Sequence, residues 1–114
     1  MIVDAAADKK ASDIVLLDLR KVALIADYFV VCSGQSARQL KSIADGVAEA
    51  IKERAVRVLA VEGAPESGWV LVDIGAVIVH IFSPEMRAYY TLEDLWQSAP
   101  VVVHVQSRWV TFST

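Results

Sequence analysis

One stretch of the sequence, from Trp69 to Phe82, restricts the fold more than any other. Two runs rich in Val and Ile flank Gly75-Ala76, and a glycine at the first position of a two-residue loop is typical of a β-hairpin with a type II′ turn. This turn sets the register of the two strands, so that Trp69 faces Phe82 across the hairpin. We therefore expect an antiparallel hairpin around which the rest of the chain is organised.

The two faces of this hairpin differ in chemistry, because side chains alternate along a strand. One face is wholly aliphatic and is expected to lie in the core: Val70, Val72, Ile74, Val77, Val79 and Ile81. The other face, called here the mixed face, combines apolar residues with an acid and an imidazole: Trp69, Leu71, Asp73, Ile78, His80 and Phe82. Such a face is either covered by the chain's own helices or is a recognition surface.

The segments before the hairpin predict alternating helices and strands. The expected elements are a short helix over 2–11, strands over 14–19 and 27–33, a long helix opened by Ser36 and Gln39, and a strand over 57–61. The long helix has the clearest pattern, since its apolar residues recur at helical spacing: Leu40, Ile43, Ala44, Val47, Ala48 and Ile51. A strand, a helix and a further strand favour a right-handed crossover and a parallel pair between 27–33 and 57–61.

The residues after the hairpin predict a helix and then a strand. Ser83 and Pro84 are typical of a helix start, and Met86, Tyr89 and Tyr90 then share one helical face. The residues after Pro100 predict an added edge strand, a self-association element or an aggregation-prone segment. The whole pattern predicts an α/β fold with a mixed sheet of about five strands and helices packed on it. This fold is assigned to residues 1–98, with a C-terminal extension over 99–114.

Composition and charge indicate a globular protein with an acidic C-terminal half. The 114 residues are 55% hydrophobic and 22% charged, but the apolar runs are too short to cross a bilayer. The first residues lack the apolar stretch of a secretory signal, and Cys32 is the only cysteine, so a cytoplasmic protein without an intrachain disulfide is expected. Residues 62–96 hold six acids against Arg87 alone, which favours a basic protein over nucleic acid as a partner.

The signatures of catalytic and metal sites are incomplete. The turn from Gly34 to Ser36 resembles the Gly-Ser turn of nucleotidyltransferases, but no two acids in the chain are separated by one residue, so the pair that would hold Mg²⁺ is missing. Two histidines and one cysteine do not make a closed zinc site. His80 lies diagonal to Asp73, where a structural or contact role is favoured over an acid–base pair. We expect no catalytic residue, metal or cofactor. The alternatives are a nucleotidyltransferase-like enzyme using the Gly34–Ser36 turn and a dimeric adaptor.

Five blocks of the sequence, in a fixed order and spacing, resemble a known family. They extend from Asp8 to Trp96 and read DKKASDIVLLDL, IADYFVVCSGQSARQLKSIADGV, VEG, GWVLVDIGAVIVHIF and MRAYYTLEDLW. These blocks resemble the ribosomal silencing factors, also called the Iojap family. The resemblance implies a fold related to nucleotidyltransferases but without their catalysis. It implies binding to large-subunit ribosomal protein fourteen on the intersubunit face, where the factor blocks joining of the small subunit when nutrients are short. It also implies self-association, so a homodimer is expected.

The resemblance also indicates which residues contact the partner. Those matching the family's W-x₃-D, V-H and Y-x-L-E elements are Trp69, Asp73, His80, Tyr90, Leu92 and Glu93. Tyr28 and Arg38 match too, with a structural role as the alternative. Two positions depart from the family pattern: Ala76 stands where Asp is usual, and Ala55 stands where a glycine usually ends the long helix. A non-glycine residue is strained in such a left-handed cap. We expect the mixed face to dock a basic protein, without direct recognition of nucleic acid or membrane.

Overall fold

The computed structural model of the chain describes residues 2–90 and 98–105. The elements are α1 (Ile2–Asp8), β1 (Ser12–Asp18), β2 (Tyr28–Ser33), α2 (Ala37–Glu53), β3 (Ala60–Ala64), a 3₁₀ turn (Pro65–Ser67), β4 (Trp69–Asp73), β5 (Val77–Phe82), α3 (Pro84–Tyr90) and β6 (Val101–Val105). The strands form one six-stranded sheet in the order β3-β4-β5-β2-β1-β6. This confirms the predicted α/β class with a mixed sheet. β6 is an edge strand beside β1, and the division of the chain after residue 98 stays a prediction.

The predicted hairpin is formed by β4 and β5 in the predicted register. Trp69 lies opposite Phe82 and Val72 lies opposite Val79. Gly75 has a φ of 92°, a backbone conformation that side chains with a Cβ rarely adopt. The turn is closed by the N–H of Ile74, which donates to the carbonyl of Val77 at 2.9 Å.

The parallel pair was predicted with the wrong partner strand for β2. β2 pairs in parallel with β5, whereas the strand after α2 is β3, which begins at Ala60 rather than Arg57 and pairs antiparallel with β4. The hairpin therefore lies between β2 and β3. The physical reason is burial: the aliphatic face of the hairpin needs cover from α2, whereas β3 is exposed at four of its five residues and suits an edge.

α1 and α2 cover one face of the sheet, and the aliphatic face of the hairpin lies beneath them. The buried residues of this core include Ile14, Val30, Leu40, Ile43, Val47, Val70, Val72, Val79 and Ile81. α1 contributes Ala5 and Ala6, whereas Ala7 is exposed. The helix also ends at Asp8 rather than residue 11, because Lys10 adopts a left-handed φ of 65°.

The opposite face of the sheet has its own apolar cluster, which is covered only in part. Its buried residues are Val15, Leu17, Leu19, Ala26, Phe29, Val31, Phe82 and Ala99. Trp69 and Ile78 of the hairpin pack against this cluster while remaining half-buried. The mixed face is therefore neither sealed within the domain nor fully open to solvent. No helix in the described ranges is long and apolar enough to cross a membrane.

Candidate partner-binding face

Three of the predicted contact residues meet on the mixed face. Trp69 begins β4, His80 lies on β5, and α3 brings Tyr90 against them, because the Ser83 hydroxyl accepts from the N–H of Met86 at 3.2 Å and fixes the start of that helix. The ring centroid of Trp69 lies 6.4 Å from that of His80 and 6.2 Å from that of Tyr90. Phe82 completes the group, with its ring centroid 5.6 Å from that of Tyr90. These four residues are called the aromatic cluster.

His80 is held in the cluster as a neutral imidazole. Its Nδ1 accepts a long hydrogen bond of 3.4 Å from the indole N–H of Trp69, so the proton of the neutral ring lies on Nε2. This Nε2 is buried and has no hydrogen-bond partner among the residues that the structure describes. Burial lowers the pKa of His80 to about 4, because the charged form loses hydration. The ring therefore stays uncharged near neutral pH, which does not favour a role as an acid or base, and its predicted contact with a partner stays a prediction.

Asp73 has a different position and a structural role. It lies at the far end of β4, beside the hairpin turn, and its Oδ1 accepts from the N–H of Gly75 at 2.8 Å. A carboxylate that accepts from a backbone N–H two residues later stabilises a turn. The structure thus separates Asp73 from the aromatic cluster, and its place in a partner contact stays a prediction.

The four other residues that match the family pattern do not belong to the aromatic cluster as the structure describes it. Leu92 and Glu93 lie outside the described residues, so their predicted contacts stay predictions. Tyr28 packs under the guanidinium of Arg20, 5.4 Å from the ring centroid. Arg38 is exposed on the first turn of α2.

Phe29 is a member of this face that the sequence did not reveal. Its ring meets that of His80 edge-on, with 4.7 Å between the centroids. Phe29 lies on β2, and the parallel pairing of β2 with β5 brings the two rings together. Because that pairing was not predicted, no pattern in the sequence connected Phe29 with the hairpin.

Arg87 is the second residue that the sequence did not reveal. It is 8% exposed, and its Nη1 donates to the carbonyl of Asp13 at 2.7 Å and to the hydroxyl of Ser33 at 2.9 Å. The side chain thereby joins α3 to β1 and β2. It also lines a cleft of about 480 Å³, together with Ser12, Gln35 and His104 among others.

The Gly34–Ser36 turn has little capacity left for a phosphate group. The N–H of Gly34 donates to the carbonyl of Phe82 at 2.9 Å, and the N–H of Gln35 donates to Oε1 of Gln39 at 2.6 Å. Ser36 caps α2 as predicted, since its hydroxyl accepts from the N–H of Gln39 at 3.1 Å. A phosphate-binding turn needs free backbone N–H groups, and here two are already engaged. The geometry therefore does not favour the nucleotidyltransferase alternative.

Metal ligands are not gathered in the part of the chain that the structure describes. Within residues 2–90 and 98–105, no group of three His, Cys, Asp or Glu side chains is placed to hold a metal ion. The absence of a metal or cofactor stays a prediction.

The sequence and the fold both agree with one family. The family model described as "Ribosomal silencing factor during starvation" (RsfS) matches residues 1–111. The chain belongs to the ribosomal silencing factor family. It is 42% identical over 100 residues to the ribosomal silencing factor RsfS of Halalkalibacterium halodurans, covering 88% of this chain and 86% of that protein. It is 44% identical over 97 residues to the RsfS of Bacillus subtilis, covering 85% and 82% of the two chains.

Solved structures and more distant relatives of the silencing factors extend this similarity. A crystal structure of a protein from Chromobacterium violaceum superposes with a TM-score of 0.81 at 38% identity, covering 85% of this chain and 81% of that one. The mouse protein named "Mitochondrial assembly of ribosomal large subunit protein 1" is 31% identical over 99 residues, which is 84% of this chain and 43% of the mouse protein. The family match also includes β6, beyond the blocks at residues 8–96 that carried the resemblance.

Proposed function

We propose that this silencing factor binds the large ribosomal subunit and sterically prevents the small subunit from joining it, which represses translation under nutrient limitation. The observation that carries this proposal is the match of residues 1–111 to a family described as silencing ribosomes during starvation. A mouse relative whose name concerns assembly of the ribosomal large subunit supports that subunit as the target. The site of action is then the cytoplasm, where subunits join.

The contact is the mixed face, and the partner is the large-subunit ribosomal protein fourteen on the intersubunit face. Trp69 is half-buried and Tyr90 is 46% exposed, so both combine a fixed orientation with surface that a partner can cover. Aromatic residues of this kind dominate the energy of many interfaces. Glu62 lies opposite Leu71 and so shares the mixed face, and Glu85 is exposed at the start of α3. These acids complement the Lys and Arg residues of a basic partner and orient its approach.

The mechanism is exclusion rather than catalysis. A rigid domain on the intersubunit face occupies space that a bridge between the subunits needs, and no bond has to form or break. The homodimer implied by the family resemblance belongs to the free protein in this scheme.

Sedimentation of purified subunits through sucrose gradients tests this function. Large and small subunits are mixed with or without an excess of the protein. We expect the protein to travel with large subunits and the peak of whole ribosomes to shrink. Protein that travels with large subunits but leaves the ribosome peak unchanged contradicts the blocking mechanism. Protein that stays at the top of the gradient contradicts binding itself.

A further inference from the structure

The cleft beside Arg87 lies where two parallel strands finish next to each other. β2 ends at Ser33 and β5 ends at Phe82, and these two residues are partners in the parallel register. The cleft of about 480 Å³ is lined by Ser12, Asp13, Ser33, Gln35, Arg87 and His104, among others. We call it the strand-end cleft. Ligand pockets commonly enclose about 300–1,000 Å³, so a small molecule has room in it.

The connections that leave these two strands lead to opposite faces of the sheet. After β2 the chain enters α2, which packs on the aliphatic face of the hairpin. After β5 the chain enters α3, whose Met86 and Tyr90 pack on the mixed face. Neighbouring parallel strands that send their helices to opposite faces leave a crevice at their carboxyl ends, and open α/β sheets bind their ligands in this crevice. The topology therefore supports a ligand site in the strand-end cleft.

The buried wall of the cleft supplies a hydrogen-bond donor and a positive charge. Ser33 is only 4% exposed. Its Oγ accepts from Nη1 of Arg87 at 2.9 Å, but its own O–H donates to no acceptor within residues 2–90 and 98–105. Arg87 adds a guanidinium that is always charged. Because a buried O–H without an acceptor is unfavourable, a negatively charged oxygen of a ligand suits this wall.

Asp13 brings the opposite charge to the rim of the cleft. Its side chain is 59% exposed, and its Oδ1 lies 4.0 Å from Nε2 of His104, which is too far for a hydrogen bond. No donor in the described part of the chain reaches this carboxylate. The backbone carbonyl of the same residue accepts from Arg87 at 2.7 Å, so both charges belong to one small site. A matching ligand carries a negative group for the wall and a positive group for the rim.

A free amino acid carries these two groups on one carbon atom, whereas other small ligands match the cleft less well. A phosphate ester would place its negative charge beside Asp13, and the neighbouring Gly34–Ser36 turn has two N–H groups already engaged. A metal ion would be repelled by Arg87. A simple carboxylate leaves Asp13 without a donor, and a simple amine leaves the O–H of Ser33 without an acceptor.

We propose that the strand-end cleft binds a free α-amino acid and leaves it chemically unchanged. The carboxylate of the ligand accepts from the O–H of Ser33 and lies against the charge of Arg87. The ammonium group donates to the carboxylate of Asp13. The side chain of the amino acid faces Pro84 and Ala88, the apolar part of the lining. This proposal does not rest on ribosome binding.

Amide NMR spectroscopy of the full chain tests the proposal. Free L-amino acids are added in small groups and then singly. We expect at least one of them to shift the amide signals of Gln35, Ala88 and His104, with a Kd of about 1 mM or tighter. Two matched compounds each remove one charge of that amino acid, since its 2-hydroxy acid lacks the ammonium group and its amide lacks the carboxylate. Both should bind at least ~10-fold more weakly.

The variant Asp13→Asn is the decisive one. The side chain is exposed, and asparagine also tolerates the left-handed φ of 47° at this position. We expect the amino acid to bind at least ~10-fold more weakly and the 2-hydroxy acid to bind more tightly, because the repulsion of its carboxylate is removed. A variant that only loosened the fold would weaken both. The matched control Glu49→Gln neutralises an exposed acid on α2 and should leave both affinities unchanged.

The variant Ser33→Ala tests the other end of the ligand. It removes the buried O–H and keeps the bond from Arg87 to the carbonyl of Asp13. We expect at least ~10-fold weaker binding of the amino acid, with an unchanged circular dichroism spectrum.

Several results would overturn the proposal. These are no shift with any amino acid, equal binding of the 2-hydroxy acid or of the amide, or full amino-acid binding by Asp13→Asn or by a folded Ser33→Ala. Inorganic phosphate that binds more tightly than every amino acid, and that Ser33→Ala no longer binds, would assign the cleft to a phosphate group instead.

Discussion

His80 is held among aromatic rings in a neutral state that does not favour acid–base chemistry. Its Nδ1 accepts a hydrogen bond from the indole N–H of Trp69, and its ring contacts the rings of Phe29, Trp69 and Phe82. Burial disfavours the imidazolium, so the free energy of unfolding depends on the protonation of this residue. In the unfolded chain the imidazole takes up a proton near its ordinary pKa of 6.5, whereas the folded chain resists until about pH 4.

The sign of this linkage gives a prediction for His80→Phe. Because the unfolded state binds the proton first, wild-type stability is full above about pH 6.5 and falls as the pH drops toward 4. Between pH 7 and pH 5, protonation of His80 is expected to lower the free energy of unfolding by about 2 kcal/mol. Urea unfolding at both pH values should show that His80→Phe loses less stability over this interval, while the control His104→Phe behaves like the wild type. Equal losses in all three proteins would contradict the assigned burial.

Residues differ in how far the sequence alone locates them. Local patterns placed Trp69 and His80 on one face of the hairpin and Tyr90 on one face of a helix, whereas their selection as contact residues came from the family resemblance. The positions of Phe29 and Arg87 were not predicted, because they depend on contacts between residues that are far apart in the sequence. Phe29 lies 51 residues before His80, whose ring it contacts, and the Arg87–Ser33 hydrogen bond spans 54 residues. A buried arginine has no distinguishing local pattern, since its burial requires acceptors that only the tertiary fold supplies.

At the scale of elements, the C-terminal end of α2 has the backbone strain that the sequence predicted. Ala55 adopts a left-handed φ of 58°. The N–H of Ala55 donates to the carbonyl of Lys52, and the N–H of Val56 donates to that of Ile51. These two bonds form the Schellman arrangement that usually requires glycine at the left-handed position. The helix end is therefore correctly formed but carries an avoidable conformational cost.

Ala55→Gly should accordingly stabilise the protein. A left-handed non-glycine residue costs roughly 1–2 kcal/mol, and the added flexibility of glycine in the unfolded chain offsets part of the gain. We expect a net increase of about 0.5–1 kcal/mol in the free energy of unfolding, and a higher Tm in calorimetry. The control Ala48→Gly, in the middle of the same helix, should lose about 1 kcal/mol. A lower Tm for Ala55→Gly would contradict the observed backbone conformation.

Helices and strands that are marked by a pattern of neighbouring residues were predicted well, whereas the pairing of strands distant in the sequence was not predicted correctly. The spacing of apolar residues identified α2, and Gly75-Ala76 identified the hairpin. β3 began three residues later than expected and lost its assumed parallel partner, because its position depends on competition between strands for the cover of α2. That competition is settled by burial over the whole sheet, which no window of sequence contains.

At the scale of the whole molecule, the two ends of the sheet present different chemistry. One end carries the aromatic cluster, with Glu62 and Glu85 on the adjacent surface, and the other carries exposed aliphatic residues such as Leu24 and Leu59. A central sheet with a core on each face holds these surfaces in a fixed relation. If the aromatic end alone contacts the large subunit, as we propose, charge reversal there should weaken binding more than the same change elsewhere on the surface.

Co-sedimentation with isolated large subunits measures whether the aromatic end makes this contact. The decisive variant is Trp69→Ala with Glu93→Lys, and Tyr90→Ala with Glu93→Lys repeats the test without removing the half-buried indole. Tyr89→Ala is the matched control, since Tyr89 is 75% exposed and neighbours Tyr90. Truncated aromatic anchors commonly cost 2 kcal/mol or more each, and reversed charges add to this. We predict that both double variants keep their circular dichroism spectra but lose binding by at least ~100-fold, while Tyr89→Ala binds like the wild type. Folded double variants that travel with large subunits as the wild type does would contradict binding through the aromatic end.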